Sequence, residues 1–491
     1  MDLIEIRKQN PWWEHPSRIN EDLKIIEFLS MPIKWNPRLK KYIYLDKNAV
    51  YSIRGPRQVG KTTLAKVMIQ ELLEKSNAMN VMYFACDLLK DNTALSDMLD
   101  IYYRWIRTQN KERVHIFLDE ISSVKEWQKS VKFFVDMYGN KNITMVVTGS
   151  HTLDIKSSAE QLPGRVGEKE HISTHKILLP MKFAEYVKTK NPPLYEQVEA
   201  FDLQSTKKRT EEFLEMIDGN IPKSAYNLIR LLPELDTLCD EYLITGGMMT
   251  AVNDYEKNST IDPQIYDMYI RQFIGDIGRI GRDERTAKGI LKSVLRKLST
   301  PVSLNSIRQE NEIPSHPTVE QYLHILQNMF IVNMFYKIEI DGTIKKVSDK
   351  KIHILNTFIF HALNGWLMEP AKNPYQLSLS FLFDSESKSK LVESVVGDHL
   401  NRAAYTLRPT DTFDALDHVF YMKTKKGHEI DYIITTERGI RAVDVLYQNK
   451  INSEDFRALH ILKRGCMITK KTLAQRENIS LVPLSLFLLY I

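Results

Sequence analysis

Residues 55–62 read Gly-Pro-Arg-Gln-Val-Gly-Lys-Thr, two glycines separated by four residues and followed by a lysine and a hydroxyl. An apolar run, Ala49-Val50-Tyr51-Ser52-Ile53, precedes the segment, and 63–69 continues it with helical periodicity. Gly55 and Gly60 let the backbone curl with its N–H groups facing inward, where a Cβ would clash. A helix launched at that point offers its free amides and positive dipole end to an anion. Lys61 is spaced to reach β- and γ-phosphates, and the Thr62 hydroxyl to take a Mg²⁺ coordination position. The candidate nucleotide-binding residues are therefore Gly55, Pro56, Arg57, Gln58, Val59, Gly60, Lys61, Thr62 and Thr63, for ATP or ADP with Mg²⁺. A strand must launch such a loop and a helix must receive it, which commits this part of the chain to an α/β fold.

Further β-type runs at 81–85, 114–118, 143–147 and 171–179 alternate with helical segments. That alternation predicts a parallel sheet covered by helices on both faces. The run at 114–118 releases Asp119 and Glu120 at its C-terminal end. Beside a phosphate loop, Asp119 is placed to support Mg²⁺ and Glu120 to polarise the attacking water. The run at 143–147 ends in Thr148-Gly149-Ser150. Thr148 and Ser150 are candidate γ-phosphate sensors or, equally, a small polar turn. Arg165, in Leu162-Pro163-Gly164-Arg165-Val166, is either a catalytic guanidinium acting in cis or in trans, or a surface ion pair. Lys61, Glu120 and Arg165 are the expected catalytic set.

At 491 residues the chain exceeds a single core and should divide into about three or four domains. Its 67 basic and 62 acidic residues give a net charge of +5, compatible with nucleic acid without demanding it. Cys86, Cys239 and Cys466 lie far apart without metal-ligand spacing, as expected of buried thiols in a reducing cytoplasm. The N-terminus lacks the regions of a signal peptide, and the apolar stretch 479–491 is too short to span a bilayer. No membrane association is expected.

Taken together, the phosphate loop, Leu118-Asp119-Glu120, Thr148-Gly149-Ser150 and the Leu162–Val166 segment resemble the archaeal-type P-loop ATPases of the AAA+/STAND branch. Asn10-Pro11-Trp12-Trp13 and Gly246-Gly247 are similar to that group as well. The resemblance implies that Trp12 and Trp13 lie near the adenine, with ordinary core packing as the alternative. Relatives usually carry a Pro shortly after the Gly-Gly pair, where this chain has Met248-Met249. It also implies a P-loop core over 1–215, a helical lid over 216–285, a winged helix over 286–350 and a C-terminal α/β domain over 355–491.

Periodicity supports that division. Residues 216–298 are mostly helical, with a basic stretch that includes Arg271, Arg279, Arg282 and Arg285. A short helix, a longer helix at 318–329 and a hairpin turning at Asp341-Gly342 follow. The longer helix presents Glu320, Gln321, His324 and Gln327 but no Lys or Arg, poor chemistry for phosphates or guanine. The order after residue 355 resembles a PD-(D/E)XK, restriction-endonuclease-like domain. Carried over, Glu393, Asp431 and Asp444 take the carboxylate positions and Leu446 takes the lysine position. An aliphatic side chain there cannot orient a water molecule, so this second site is expected to be degenerate.

The expectation is a Mg²⁺-dependent, ATP-binding and ATP-hydrolysing multi-domain switch or motor, with DNA and a protein both left open as its partner. The alternatives are a STAND-like signalling or defence switch with protein partners, and an ATP-regulated nuclease. Oligomerisation is left open.

Overall fold

The computed structural model describes residues 2–138, 142–149, 173–408, 414–424 and 427–491. The chain forms two compact units, Met1–Leu179 and Pro180–Ile491.

In the first unit, strands β1 (Ala49–Arg54), β2 (Val81–Ala85), β3 (Val114–Asp119), β4 (Ile143–Gly149) and β5 (His175–Ile177) form one sheet in the order β2-β3-β4-β1-β5. All its pairings are parallel. Runs rich in Val, Ile and Phe suit strands covered on both faces, and every residue of β3 and β4 is buried. Helices α1 (Lys61–Leu73), α2 (Asn92–Gln109) and α3 (Trp127–Tyr138) supply the crossovers. This is the parallel α/β core read from the alternating pattern. Its order puts β4 between β1 and β3, so the chain reverses direction across the sheet beside the phosphate loop, where α/β folds open a crevice at their strand C-termini.

The edge of β2 is covered by the N-terminal segment. The Asn10 side chain accepts from Tyr83 N at 2.7 Å and donates to Tyr83 O at 2.9 Å, imitating a neighbouring strand. Gln9 Oε1 accepts from Ala85 N at 2.8 Å. Trp12 and Trp13 each donate an indole N–H to Val81 O at 2.9 Å. Open strand edges invite unwanted pairing, and here polar side chains and indoles close one.

The second unit begins with helices, among them Leu232–Thr245, Met249–Asn258, Pro263–Arg279 and Glu284–Arg296. The turn at Gly246-Gly247 has φ of +58° and +68°. A Cβ on Gly246 would stand 2.2 Å from the Asn356 side chain, which donates to Gly246 O at 2.6 Å. Glycine is therefore required there by backbone conformation and by close packing.

Helices α4 (Leu304–Glu310) and α5 (His316–Asn328) follow, with Val319, Tyr322, Leu323 and Leu326 of α5 buried at the expected spacing. The hairpin of β6 (Val332–Ile338) and β7 (Ile344–Lys345) turns through Asp341-Gly342, where Gly342 has φ of +85°. It does not stand alone. β6 pairs antiparallel with β8 (Lys351–Ile354) and parallel with β9 (Val419–Lys423). With β10 (Glu429–Thr436), β11 (Gly439–Leu446), β12 (Gly465–Thr469), β13 (Ala474–Arg476) and β14 (Ile479–Pro483), they form a nine-stranded sheet among the described residues. The long helix α6 (Ser385–Leu407) packs on β10. The apolar C-terminal stretch is β14 followed by a buried helix, Leu484–Leu489. No described helix is long and apolar enough to cross a membrane.

Candidate nucleotide site and the C-terminal carboxylate cluster

The phosphate loop connects β1 to α1. Gly60 carries φ of +96°, which L side chains rarely adopt, and a Cβ on Gly55 would lie 2.0 Å from Leu178 O. Both glycines are thus required, one by conformation and one by close approach. Lys61 opens α1, and its buried Nζ donates to Gly55 O and Pro56 O, each at 2.9 Å, so the ammonium lies directly over the loop. Arg57 and Gln58 belong to the loop itself, Val59 is buried beneath it, and Thr63 lies in the first turn of α1.

Asp119, at the end of β3, is buried and accepts on both oxygens. Thr62 Oγ1 donates to Asp119 Oδ2 at 2.7 Å, and Thr148 Oγ1 donates to Asp119 Oδ1. Thr148 lies on β4, level with Ile53 of β1, and its hydroxyl also accepts from Glu120 N at 3.2 Å. One small side chain therefore fixes the acidic pair at both of its residues. Glu120 itself adopts the left-handed region, φ +49°, and its carboxylate lies 4.0 Å from the Arg57 guanidinium. Residues far apart in sequence (Lys61, Thr62, Asp119, Glu120 and Thr148) meet at the C-terminal end of the sheet. Ser150 and Arg165 lie outside the described residues.

Sequence reasoning missed Tyr83. Its hydroxyl donates to Asp119 Oδ2 at 2.9 Å from the neighbouring strand β2. Burial, together with the Asp119 charge, drives its phenol pKa far above the ordinary value, so it stays a hydrogen-bond donor. Lys66 Nζ lies 3.4 Å from the Tyr83 ring centroid and 3.0 Å from Asp22. Burial lowers the Lys66 pKa, and the Asp22 charge opposes that shift. A hydroxyl-bearing residue inside the otherwise apolar run 81–85 was the available signal. Trp12 and Trp13 are core residues, with Trp13 stacked on Tyr102 at 5.5 Å between ring centroids.

In the second unit, Glu393 of α6, Asp431 of β10 and Asp444 of β11 lie near one another. Asp431 N donates to Asp444 Oδ1 at 3.1 Å, and Val445 N donates to Asp431 Oδ2 at 2.9 Å. An unanticipated residue joins them: Lys351 of β8, wholly buried, lies 2.6 Å from Glu393, 2.7 Å from Asp431 and 2.9 Å from Glu429. Burial opposes the Lys351 charge, but Asp431, Glu393 and Glu429 outweigh it and hold the pKa well above the ordinary lysine value. Burial, then the Asp431 charge, push Glu393 up to about 8, and the same causes raise Asp444 well above the carboxylate range. Among the described residues, no group of three or more His, Cys, Asp or Glu side chains is disposed to hold a metal ion. The signal for Lys351 was weak: a lysine opening the strand-like Lys-Ile-His-Ile.

The family model of the AAA domain matches residues 47–187. Two domains of unknown function match further on, DUF8612 over 236–369 and DUF4143 over 388–487. The uncharacterized protein MJ1637 of Methanocaldococcus jannaschii is 31% identical over 188 residues, 37% of this chain and 37% of that protein. The chain thus spans little more than a third of that relative. A second uncharacterized protein of the same organism, MJ1544, is 23% identical over 84% of this chain and 78% of its own length. Among solved structures, the Walker-type ATPase PABY2304 of Pyrococcus abyssi covers 71% of this chain and 95% of its own, at 14% identity and a TM-score of 0.35. The ORC1 protein of Aeropyrum pernix in complex with DNA covers 76% and 98%, at 12% and 0.30. Likenesses this faint decide nothing about activity or partners. The AAA-domain match over 47–187 and the parallel sheet with its phosphate loop agree on the fold of a P-loop ATPase core for the first unit.

Proposed function

We propose that this protein binds ATP with Mg²⁺ at the phosphate loop and hydrolyses it. The observation that carries this reading is the chain of contacts from Thr62 through Asp119 to Thr148, with Glu120 next along the backbone. The donor set fits a Mg²⁺ ion, because Thr62 and Asp119 are hard oxygen ligands already 2.7 Å apart. Those two residues would hold the ion, whose charge would offset that of the phosphates. Lys61 would supply a second positive charge, and the loop amides would cradle the β-phosphate. Glu120, kept in place through its backbone by Thr148, would orient and deprotonate water. We assign Arg165 the role of stabilising developing charge and Ser150 that of a second γ-phosphate sensor.

The test is nucleotide retention and phosphate release. Lys61→Ala should retain no ATP. Glu120→Gln should bind ATP normally and hydrolyse it at least about 100-fold more slowly, the scale of a general base. Turnover by Glu120→Gln equal to the parent would remove the base from this account.

We further propose that hydrolysis drives a switch through the second unit, in which a winged-helix-like segment, 286–350, and a nuclease-like docking segment, 355–491, share one sheet. The polar residues of α5 favour a protein surface over DNA, since no Lys or Arg accompanies Glu320, Gln321, His324 and Gln327. Turnover stimulated by duplex or branched DNA would instead establish a DNA-directed motor.

A further inference from the structure

We propose that the Lys351 ammonium occupies, within the C-terminal carboxylate cluster, the position that a catalytic divalent cation takes in a metal-dependent nuclease. The site is then a permanent internal ion cluster, closed to metal-dependent cleavage of phosphodiesters.

The geometry argues this by position. An ammonium has three N–H donors and no acceptor. Lys351 Nζ has carboxylate oxygens of Glu393, Asp431 and Glu429 at 2.6, 2.7 and 2.9 Å. Nζ donates to Asp431 Oδ1, and the Glu393 and Glu429 carboxyl groups stand within ion-pair distance around it, so the ammonium faces acidic groups on three sides. This separates the arrangement from one in which a catalytic lysine has merely moved to another strand. Such a lysine would stand beside the carboxylates and keep a donor for the nucleophile. Here it stands among them, and the side chain is wholly buried.

Charge and space point the same way. A Mg²⁺ or Mn²⁺ ion bound to these oxygens would sit about 2.0–2.2 Å from each, in nearly the place of Nζ. The two cations exclude one another by overlap and by repulsion. The position that normally carries the assisting lysine holds Leu446, at the end of β11. Asp431 and Asp444 are further committed to the Val445 and Asp431 backbone amides.

Lys351 enters from β8, which pairs with β6 of the hairpin, whereas its partners lie on α6 and β10. The cluster therefore fastens the hairpin segment to the carboxylate-bearing elements with charge instead of metal. Asp431 and Lys351 take no part in the nucleotide site, so this inference stands or falls apart from the ATPase reading.

The test is Mn²⁺ binding to the full-length, nucleotide-free protein, followed by electron paramagnetic resonance. Asp119→Asn identifies any ion held at the phosphate loop, and Asp431→Asn any ion held at the cluster. The parent should show no Mn²⁺ signal that Asp431→Asn removes. Lys351→Ala, which vacates the centre of the cluster, should gain one bound Mn²⁺, lost again when Asp431→Asn is added. A parent ion removed by Asp431→Asn would overturn the proposal, as would folded Lys351→Ala that gains none. If Lys351→Ala does not fold, the parent titration alone still decides, because a metal already bound at the cluster contradicts a lysine in its place.

Discussion

Asp119 gathers hydroxyls from Thr62, Thr148 and Tyr83, and the last of these is the residue-scale feature that invites a test. Tyr83→Phe removes one hydrogen bond to a charged group and leaves the ring in place. A loss of about 1.5–3 kcal/mol in unfolding free energy is expected, the scale of a hydrogen bond to a charged group, although Oδ2 keeps its bond from Thr62. The Mg²⁺ concentration for half-maximal ATPase should shift while ATP retention persists. An unchanged Mg²⁺ dependence would reduce Tyr83 to a packing residue. Glu393 makes a different prediction. Its folded pKa of about 8 lies above the ordinary value of about 4.3, so the native state holds a proton that the unfolded chain releases. Its stabilising contribution is complete below about pH 4.3 and fades as pH rises through 8. Denaturant unfolding at steps across that window should show Glu393→Gln flattening the decline relative to the parent.

At the scale of an element, the edge of β2 is the instructive case. Asn10 satisfies both the N–H and the C=O of Tyr83 with one side chain, and two indoles meet Val81 O. Asn10→Ala would leave those two backbone groups of Tyr83 without that partner in a buried setting. The expected cost is about 2–4 kcal/mol, accompanied by aggregation through the uncovered edge. Thermal unfolding with light scattering checks both, and an unchanged midpoint would show that the aromatic packing alone holds the segment. The motif at 10–13 was noticed in the sequence for its likeness to relatives. Its role as a strand substitute could not be, because nothing local says that Asn10 and Tyr83 share an edge.

For the whole molecule, the second sheet decides where the chain can be cut. β6 is hydrogen-bonded to β7 and β8 on one side and to β9 on the other, although β9 begins more than 80 residues after β6. A fragment of residues 180–350 ends before β8 and strips β6 of both long partners, so it should not fold. The fragment 180–491 keeps the entire sheet and should unfold cooperatively in circular dichroism. A well-folded 180–350 fragment would mean that the hairpin segment is self-sufficient.

Legibility followed the range of the forces involved. The phosphate loop, its strand and helix, and the acidic pair at 119–120 could be read directly, because glycine conformation, helix initiation and strand periodicity act over a few residues. The helix-helix-hairpin run was readable on the same grounds, whereas Glu393, Asp431 and Asp444 were named only through a resemblance to a known domain. Tyr83 and Lys351 were not. Each acts through a partner on another element, and a tyrosine or lysine in a strand looks alike whether it meets solvent, core or carboxylate. By itself the sequence pointed to a phosphate-cradling loop on a parallel sheet, since the two glycines, Lys61-Thr62, the strand before them and the helix after them all agree. Only the tertiary structure decided what occupies the centre of the second carboxylate cluster. That depends on which strand lies beside β6 and α6, and here the burial of an ammonium is offset by the carboxylates that surround it.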